Sequence, residues 1–153
     1  MAEKTCCVTG HRDIPENKLT YVKEELKKHI LQAIEDGCTH FISGFAGGSD
    51  LIFAQIVADL KKENHTLSLE AAIPYEKRLE SPNQQLQVLL QVFDEIQVCS
   101  KEYTRDCFFI RNRYMVDDSK YVIAVYDGRK KGDTYYTIRY AHQEKKEVWV
   151  IPL

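Results

Sequence analysis

Short apolar runs alternate along the chain with longer stretches whose apolar residues return every three or four positions. Thr5 to Thr9 is a β-branched run ending at Gly10 and predicts a first strand. A helix is predicted from about Glu16 to Asp36. Its Leu19, Val22, Leu26, Ile30, Ala33 and Ile34 recur at helical steps, while Lys and Glu fill the other face. Thr39 to Ser43 predicts a second strand, followed by Gly44-Phe45-Ala46-Gly47-Gly48. The next helix, about Ser49 to Lys62, is apolar around much of its circumference and is expected to lie against the sheet. Leu67 to Ile73, closed by Pro74, predicts strand three, and a helix near Pro82 to Phe93 leads into strand four at Glu95 to Cys99. A helix over about Tyr103 to Ser119 precedes the clearest strand, Tyr121 to Tyr126, which Asp127 and Gly128 end. A last helix, about Asp133 to Lys145, returns to a strand at Glu147 to Ile151. Six strands alternating with about five helices predict one three-layer α/β domain over residues 1–153, with a mostly parallel sheet and right-handed crossovers.

Composition narrows the function classes. Of 153 residues, 44% are hydrophobic and 29% charged, enough for one good core. Twenty-one Lys and Arg against 23 Asp and Glu give a net charge of −2, which lacks the basic footprint of a dedicated nucleic-acid binder. The longest apolar runs fall far short of the ~20 residues that span a bilayer. The opening residues carry no apolar stretch behind positive charge. A cytoplasmic protein without a membrane partner is expected. Cys6, Cys7, Cys38, Cys99 and Cys107 are scattered and form no C-x-x-C, so they predict buried thiols, with no metal and no cofactor.

In an open α/β sheet, ligands sit beyond the carboxyl ends of the strands. Three predicted strand ends carry suitable residues: Thr9-Gly10-His11-Arg12-Asp13, Ser43-Gly44-Phe45-Ala46-Gly47-Gly48-Ser49-Asp50, and Tyr126-Asp127-Gly128 running on to Gly132-Asp133-Thr134. The second is the most informative. Three glycines before a helix let backbone N–H groups approach a ligand closely, and a helix N-terminus adds unsatisfied donors and the positive end of its dipole. Ser49 or Asp50 is expected to cap that helix, and the Ser49 hydroxyl can also donate to a phosphate oxygen. The spacing is neither G-x-G-x-x-G nor G-x-x-x-x-G-K-[ST], which disfavours the ordinary dinucleotide and Walker loops. His11 and Arg12 offer an imidazole and a cation. Arg111, ahead of strand five, offers a guanidinium that matches phosphate geometry. Tyr75, Tyr135 and Tyr136 are expected to cover the edge of the core rather than to stack on a ligand.

With Thr9-Gly10-His11-Arg12, the Ser43–Asp50 loop and Arg111-Asn112-Arg113-Tyr114-Met115 through Asp127-Gly128 in view, the chain resembles a known family over nearly its whole length. It is similar to the YpsA-like branch of the SLOG superfamily, the Rossmann-like group that contains the DprA (Smf) DNA-processing proteins and the LOG phosphoribohydrolases. The resemblance implies a Rossmann-like domain with a nucleotide or nucleotide-derivative pocket formed by the first, second and last loops. That assigns Gly10, His11, Arg12, Ser43, Gly44, Phe45, Ala46, Gly47, Gly48, Ser49, Asp50, Arg111, Asp127, Gly128, Gly132 and Thr134 to ligand binding. LOG enzymes carry an Arg-Lys-x-x-Met stretch and then a Gly-Gly-x-Gly-Thr-x-Glu-Glu-like loop. Arg111 and Met115 keep the first spacing with Asn112 in place of the lysine. Gly132-Asp133-Thr134 echoes the second, but Tyr135, Tyr136 and Thr137 stand where acidic residues would be. The resemblance therefore implies nucleotide binding with the acid/base part lost, in a protein that forms homo-oligomers. Two other readings stand beside it. One is nucleotide hydrolysis through Asp50, Asp117 or Asp127. The other, less favoured, is single-stranded DNA binding along Arg105, Arg111, Arg113, Arg129, Lys130 and Lys131.

Overall fold

The computed structural model describes residues 2–153. Its strands are β1 (Thr5–Gly10), β2 (His40–Ser43), β3 (Ser68–Ile73), β4 (Glu95–Val98), β5 (Tyr121–Tyr126) and β6 (Glu147–Pro152). The α-helices are α1 (Leu19–Glu35), α2 (Ser49–Lys61), α3 (Gln84–Leu89), α4 (Cys107–Asp117) and α5 (Asp133–Gln143). All pairings are parallel, in the order β4-β3-β2-β1-β5-β6. The sheet expected to be mostly parallel is wholly so.

Period-two alternation builds the three layers. From β1, Cys6 and Val8 face one side, packing with Val22, Leu26 and Ile30 of α1 and Phe53 and Val57 of α2. Cys7 faces the other, with Ile42, Val122, Met115 and Val116 of α4, and Ala141 of α5. Covered on both sides, the central strands are near-continuous apolar runs, and all six residues of β5 are apolar or aromatic. The edge strand β4 is largely exposed.

Two expected helices are shorter than predicted. Only Gln84–Leu89 of the Pro82–Phe93 stretch forms a helix, because Asn83 caps it through its side chain, accepting from the N–H groups of Gln85 and Leu86. The helix expected from Tyr103 starts at Cys107, leaving Tyr103 on the exposed loop after β4.

From β1 the chain moves outward through β2, β3 and β4, then returns to the other side of β1 with β5 and β6. The order reverses between β1 and β5. The crevice at that reversal, beyond the carboxyl ends, is where this class of sheet binds ligands.

Candidate functional site: the crevice above β1, β2 and β5

His11, the first residue after β1, joins three loops. Its N–H donates to the Val125 carbonyl at 3.3 Å, and its carbonyl accepts from the Ser49 N–H at 3.2 Å and the Ser49 hydroxyl at 2.8 Å. Its Nε2 accepts from the Asp127 N–H at 3.2 Å and lies 3.2 Å from Asp127 Oδ1. The imidazole is buried and acts as a clamp between strand ends.

The Gly44–Gly48 loop is shaped by its glycines in two different ways. Gly48 sits at φ +66°, and a Cβ there would run into the Arg12 carbonyl, so the close crossing of the first and second loops requires glycine. At Gly44 a Cβ would lie 2.7 Å from Asp50 Oδ2 and 2.8 Å from Arg111 Nη1. Gly47 has neither constraint; its Cα faces open space. Phe45, at φ +57°, turns its ring into the core beside Ala71, Ile73 and Leu86 and anchors the loop. The expected side-chain cap on α2 does not form: Gly48 is the N-cap residue. The Ser49 hydroxyl is fully buried and taken by His11, and Ser43 spends its hydroxyl on the Asp50 carbonyl at 2.9 Å.

What remains open at α2 is backbone. The N–H groups of Ala46, Gly47 and Gly48 donate to no other described residue. They stand at the positive end of a 13-residue helix. Arg111, 5% exposed, reaches across from α4 and donates from Nη1 to the Gly44 carbonyl and from Nε to Asn112 Oδ1 at 2.7 Å. Asp50, 9% exposed, accepts no hydrogen bond through its carboxylate among the described residues. Burial pushes it up to about 6, against the pull of Arg111, Arg12 and Arg78. Arg12, Ala46, Asp50 and Arg111 line a cavity of about 30 Å³ together with Thr9, Gly10 and Thr134. That is room for one or two water-sized bodies.

The structure thus brings together Gly10, Arg12, Gly44, Ala46, Gly47, Gly48, Asp50, Arg111 and Thr134. Others serve elsewhere. The Asp127 carboxylate is held by Arg129 of its own loop, at 2.9 Å from Nε and 2.6 Å from Nη2, which keeps it well below the usual carboxylate range. Gly128 and Gly132 lie on that exposed loop. Missing from the sequence reading are Arg78 and Phe108. Arg78 lies in the 3₁₀ turn Glu76–Glu80 after β3, and its buried Nε has no hydrogen-bond partner. Its place just beyond a strand end was the available signal. Phe108 carries the guanidiniums of Arg12 and Arg111 at 5.4 and 5.6 Å from its ring centre.

Larger grooves lie elsewhere, one of about 730 Å³ among α1, α2 and α3 and one of about 350 Å³ between α4 and α5. Both are valleys between helices without an unpartnered buried polar group, and chemistry outweighs size in favour of the crevice. Among the described residues one group has metal-ligand composition: His40, Glu70 and Glu95, at the opposite end of the sheet. Its buried members already satisfy one another. His40 Nδ1 meets Ser68 Oγ at 2.5 Å, His40 Nε2 meets Glu70 Oε1 at 2.6 Å, and Tyr114 donates to Glu70 Oε2. A proton shared between imidazole and carboxylate completes the cluster.

A wholly parallel six-stranded sheet in the order β4-β3-β2-β1-β5-β6, flanked by helices, defines a Rossmann-like domain. The YpsA family model, described as the YspA SLOG family, matches residues 6–151, and the chain belongs to that family. It is similar to a UPF0398 protein of Listeria monocytogenes serotype 4a (strain HCC23), 26% identical over 94% of this chain and 86% of that one. A UPF0398 protein of Bacillus pumilus (strain SAFR-032) is 27% identical over 90% of this chain and 81% of its own. Two solved structures share the fold. DNA processing protein A from Helicobacter pylori, described for its single-stranded DNA binding mode, has a TM-score of 0.70 at 18% identity, over 99% of this chain and 66% of its own. The X-ray structure of TM1055 has a TM-score of 0.62 at 17% identity, over 95% and 72%. No helix among the described residues is long and apolar enough to cross a membrane.

Proposed function

We propose that this protein binds a nucleotide or nucleotide derivative, such as a nucleoside monophosphate or ADP-ribose, through its phosphate at the Ala46–Gly48 loop. The observation that carries the reading is three backbone N–H donors without an acceptor just before α2, the first of them, Ala46, lining the same cavity as Arg12 and Arg111. Fixed amides and arginine forks are how proteins hold phosphate oxygens. Family membership supports the reading. Positioned acid/base groups contribute about 10²–10⁴-fold to a rate, and with tyrosines where the related hydrolases carry glutamates, binding proceeds without cleavage.

One observation favours a second reading. Asp50 is buried in the cavity, unpartnered and held near 6, the properties of a group that passes a proton. In that reading water adds across the N-glycosidic bond of a nucleoside monophosphate, releasing the base and ribose 5-phosphate.

Calorimetric titration of AMP, ADP and ADP-ribose into the unmodified protein and Arg12→Ala, with chromatography after overnight incubation, separates the two. Arg12 is exposed, so its removal spares the fold. A charge-assisted contact of about 1.5–3 kcal/mol predicts affinity lower by roughly 10- to 150-fold, with the nucleotide recovered intact. Released base would establish the second reading. Unchanged affinity would remove Arg12 from the site.

A further inference from the structure

We infer that the crevice has a second subsite, an aromatic shelf formed by Tyr75, Tyr103 and Phe108, which takes the planar base of a ligand whose phosphate lies at the Ala46–Gly48 loop. The inference deepens the nucleotide reading and rests on it.

The three rings come from three strand-end segments: Tyr75 follows β3, Tyr103 lies on the loop after β4, and Phe108 is in the first turn of α4. They meet edge to face, with centres 5.4 Å apart for Tyr75 and Tyr103, 6.2 Å for Tyr75 and Phe108, and 6.3 Å for Tyr103 and Phe108. The Glu76 N–H donates to the Ser100 carbonyl at 3.1 Å and ties the two loops together. None of the three rings belongs to a core cluster, and Tyr103 is 66% exposed. An ordered aromatic group on the surface, outside the core, is suited to stacking.

Phe108 joins this shelf to the phosphate site, since the guanidiniums of Arg12 and Arg111 lie against its ring. Arg78, three residues after Tyr75 and close enough to Asp50 to act on its charge, adds a permanent cation whose buried Nε is unpartnered. Asp50, buried and accepting no hydrogen bond through its carboxylate, lines the small cavity with the same two arginines that lie against Phe108. Cations beside a ring cluster whose outermost member, Tyr103, is exposed match a ligand that carries a phosphate and a planar base together. A phosphosugar alone gives the shelf nothing to stack. That combined chemistry comes either as a free nucleotide or within a single-stranded nucleic acid.

The test titrates AMP, ribose 5-phosphate and a short oligothymidylate into the unmodified protein, Tyr103→Ala and Tyr103→Phe. Tyr103 is exposed, so neither change threatens the fold, and matched melting curves check this. Stacking of one base on one ring is worth about 5- to 150-fold in affinity. Tyr103→Ala is expected to lose AMP affinity within that range, keep its affinity for ribose 5-phosphate, and recover AMP binding as Tyr103→Phe. Oligothymidylate binding that depends on Tyr103, with AMP binding absent, also supports the shelf and assigns its base to a polymer. AMP affinity unchanged in Tyr103→Ala overturns the shelf while the nucleotide reading stands. An unmodified protein that binds none of the three probes overturns both.

Discussion

Two groups of buried polar side chains lie at opposite ends of one sheet, and they are completed differently. At the amino end, His40, Ser68, Glu70 and Tyr114 form a closed ladder in which each buried group meets another. At the carboxyl end, the Asp50 carboxylate accepts no hydrogen bond among the described residues, Arg78 Nε has no partner, and the amides of Ala46, Gly47 and Gly48 have no acceptor. The closed ladder spends its polar capacity on stability, whereas the crevice withholds it, and unsatisfied capacity at a switch point is what a ligand uses.

Breaking the ladder should have the largest effect on the fold. Glu70→Ala leaves the His40 imidazole and the Tyr114 hydroxyl without their buried partner, which costs about 3–5 kcal/mol. A melting temperature lower by roughly 6–20 °C is expected, with ADP-ribose affinity unchanged at temperatures where the variant is folded. Calorimetry and thermal denaturation of one preparation read both.

Next come two glycines in the same loop. Gly48→Val meets the Arg12 backbone at a positive φ, so about 1–3 kcal/mol of strain accompanies the loss of binding. Gly47→Val meets open space and should shift stability by no more than about 0.5 kcal/mol while weakening ADP-ribose by about tenfold or more. Equal melting losses in both variants would erase the distinction between a fold glycine and a ligand glycine.

The two ends also titrate differently. Burial pushes His40 down, but the hydrogen bond and charge of Glu70, with Glu95 and Asp118, outweigh it and raise it above its ordinary value. A raised folded-state value means that the ladder's stabilisation is fully present below about pH 6.5 and is lost as pH rises through the folded value. Melting temperature should fall over that interval in the unmodified protein and lose this slope in His40→Gln. Asp50 titrates near 6 in the folded state, above its ordinary 3.8. Its protonation removes the negative charge among the arginines, so ADP-ribose affinity should fall as pH rises through about 6. In Asp50→Asn that dependence should vanish. The pyrophosphate of ADP-ribose stays ionised throughout, so the ligand does not supply the change.

The smallest effect is expected on the exposed loop after β5. Arg129→Ala breaks an exposed pair with Asp127 and should leave melting temperature and affinity unmoved. A loss of affinity would bring that loop into the site.

The fold was readable because buried parallel strands are apolar runs and α1 keeps a strict three- and four-residue rhythm. Strand ends placed the three loops, and Gly44 to Gly48 marked the second as an anion site. What spacing does not encode is which polar atoms the protein uses for itself. Ser49 and His11 read as ligand groups but are spent on each other, and Phe45 reads as part of the loop but is core. Arg111 is held in the site by its Nη1 on the Gly44 carbonyl, a contact between residues 67 positions apart that spacing does not encode. Tyr75 and Tyr103 meet because the sheet order sets β4 beside β3, which spacing along the chain does not encode.

The most direct test of the difference between the two ends is an amide ¹⁵N–¹H NMR titration with ADP-ribose. The account predicts saturable shifts largest at Ala46, Gly47 and Gly48, spreading to Arg12 and the start of α4, with His40, Glu70 and Tyr114 still. Largest shifts in the valley among α1, α2 and α3, or no saturable shift at any residue, would contradict it.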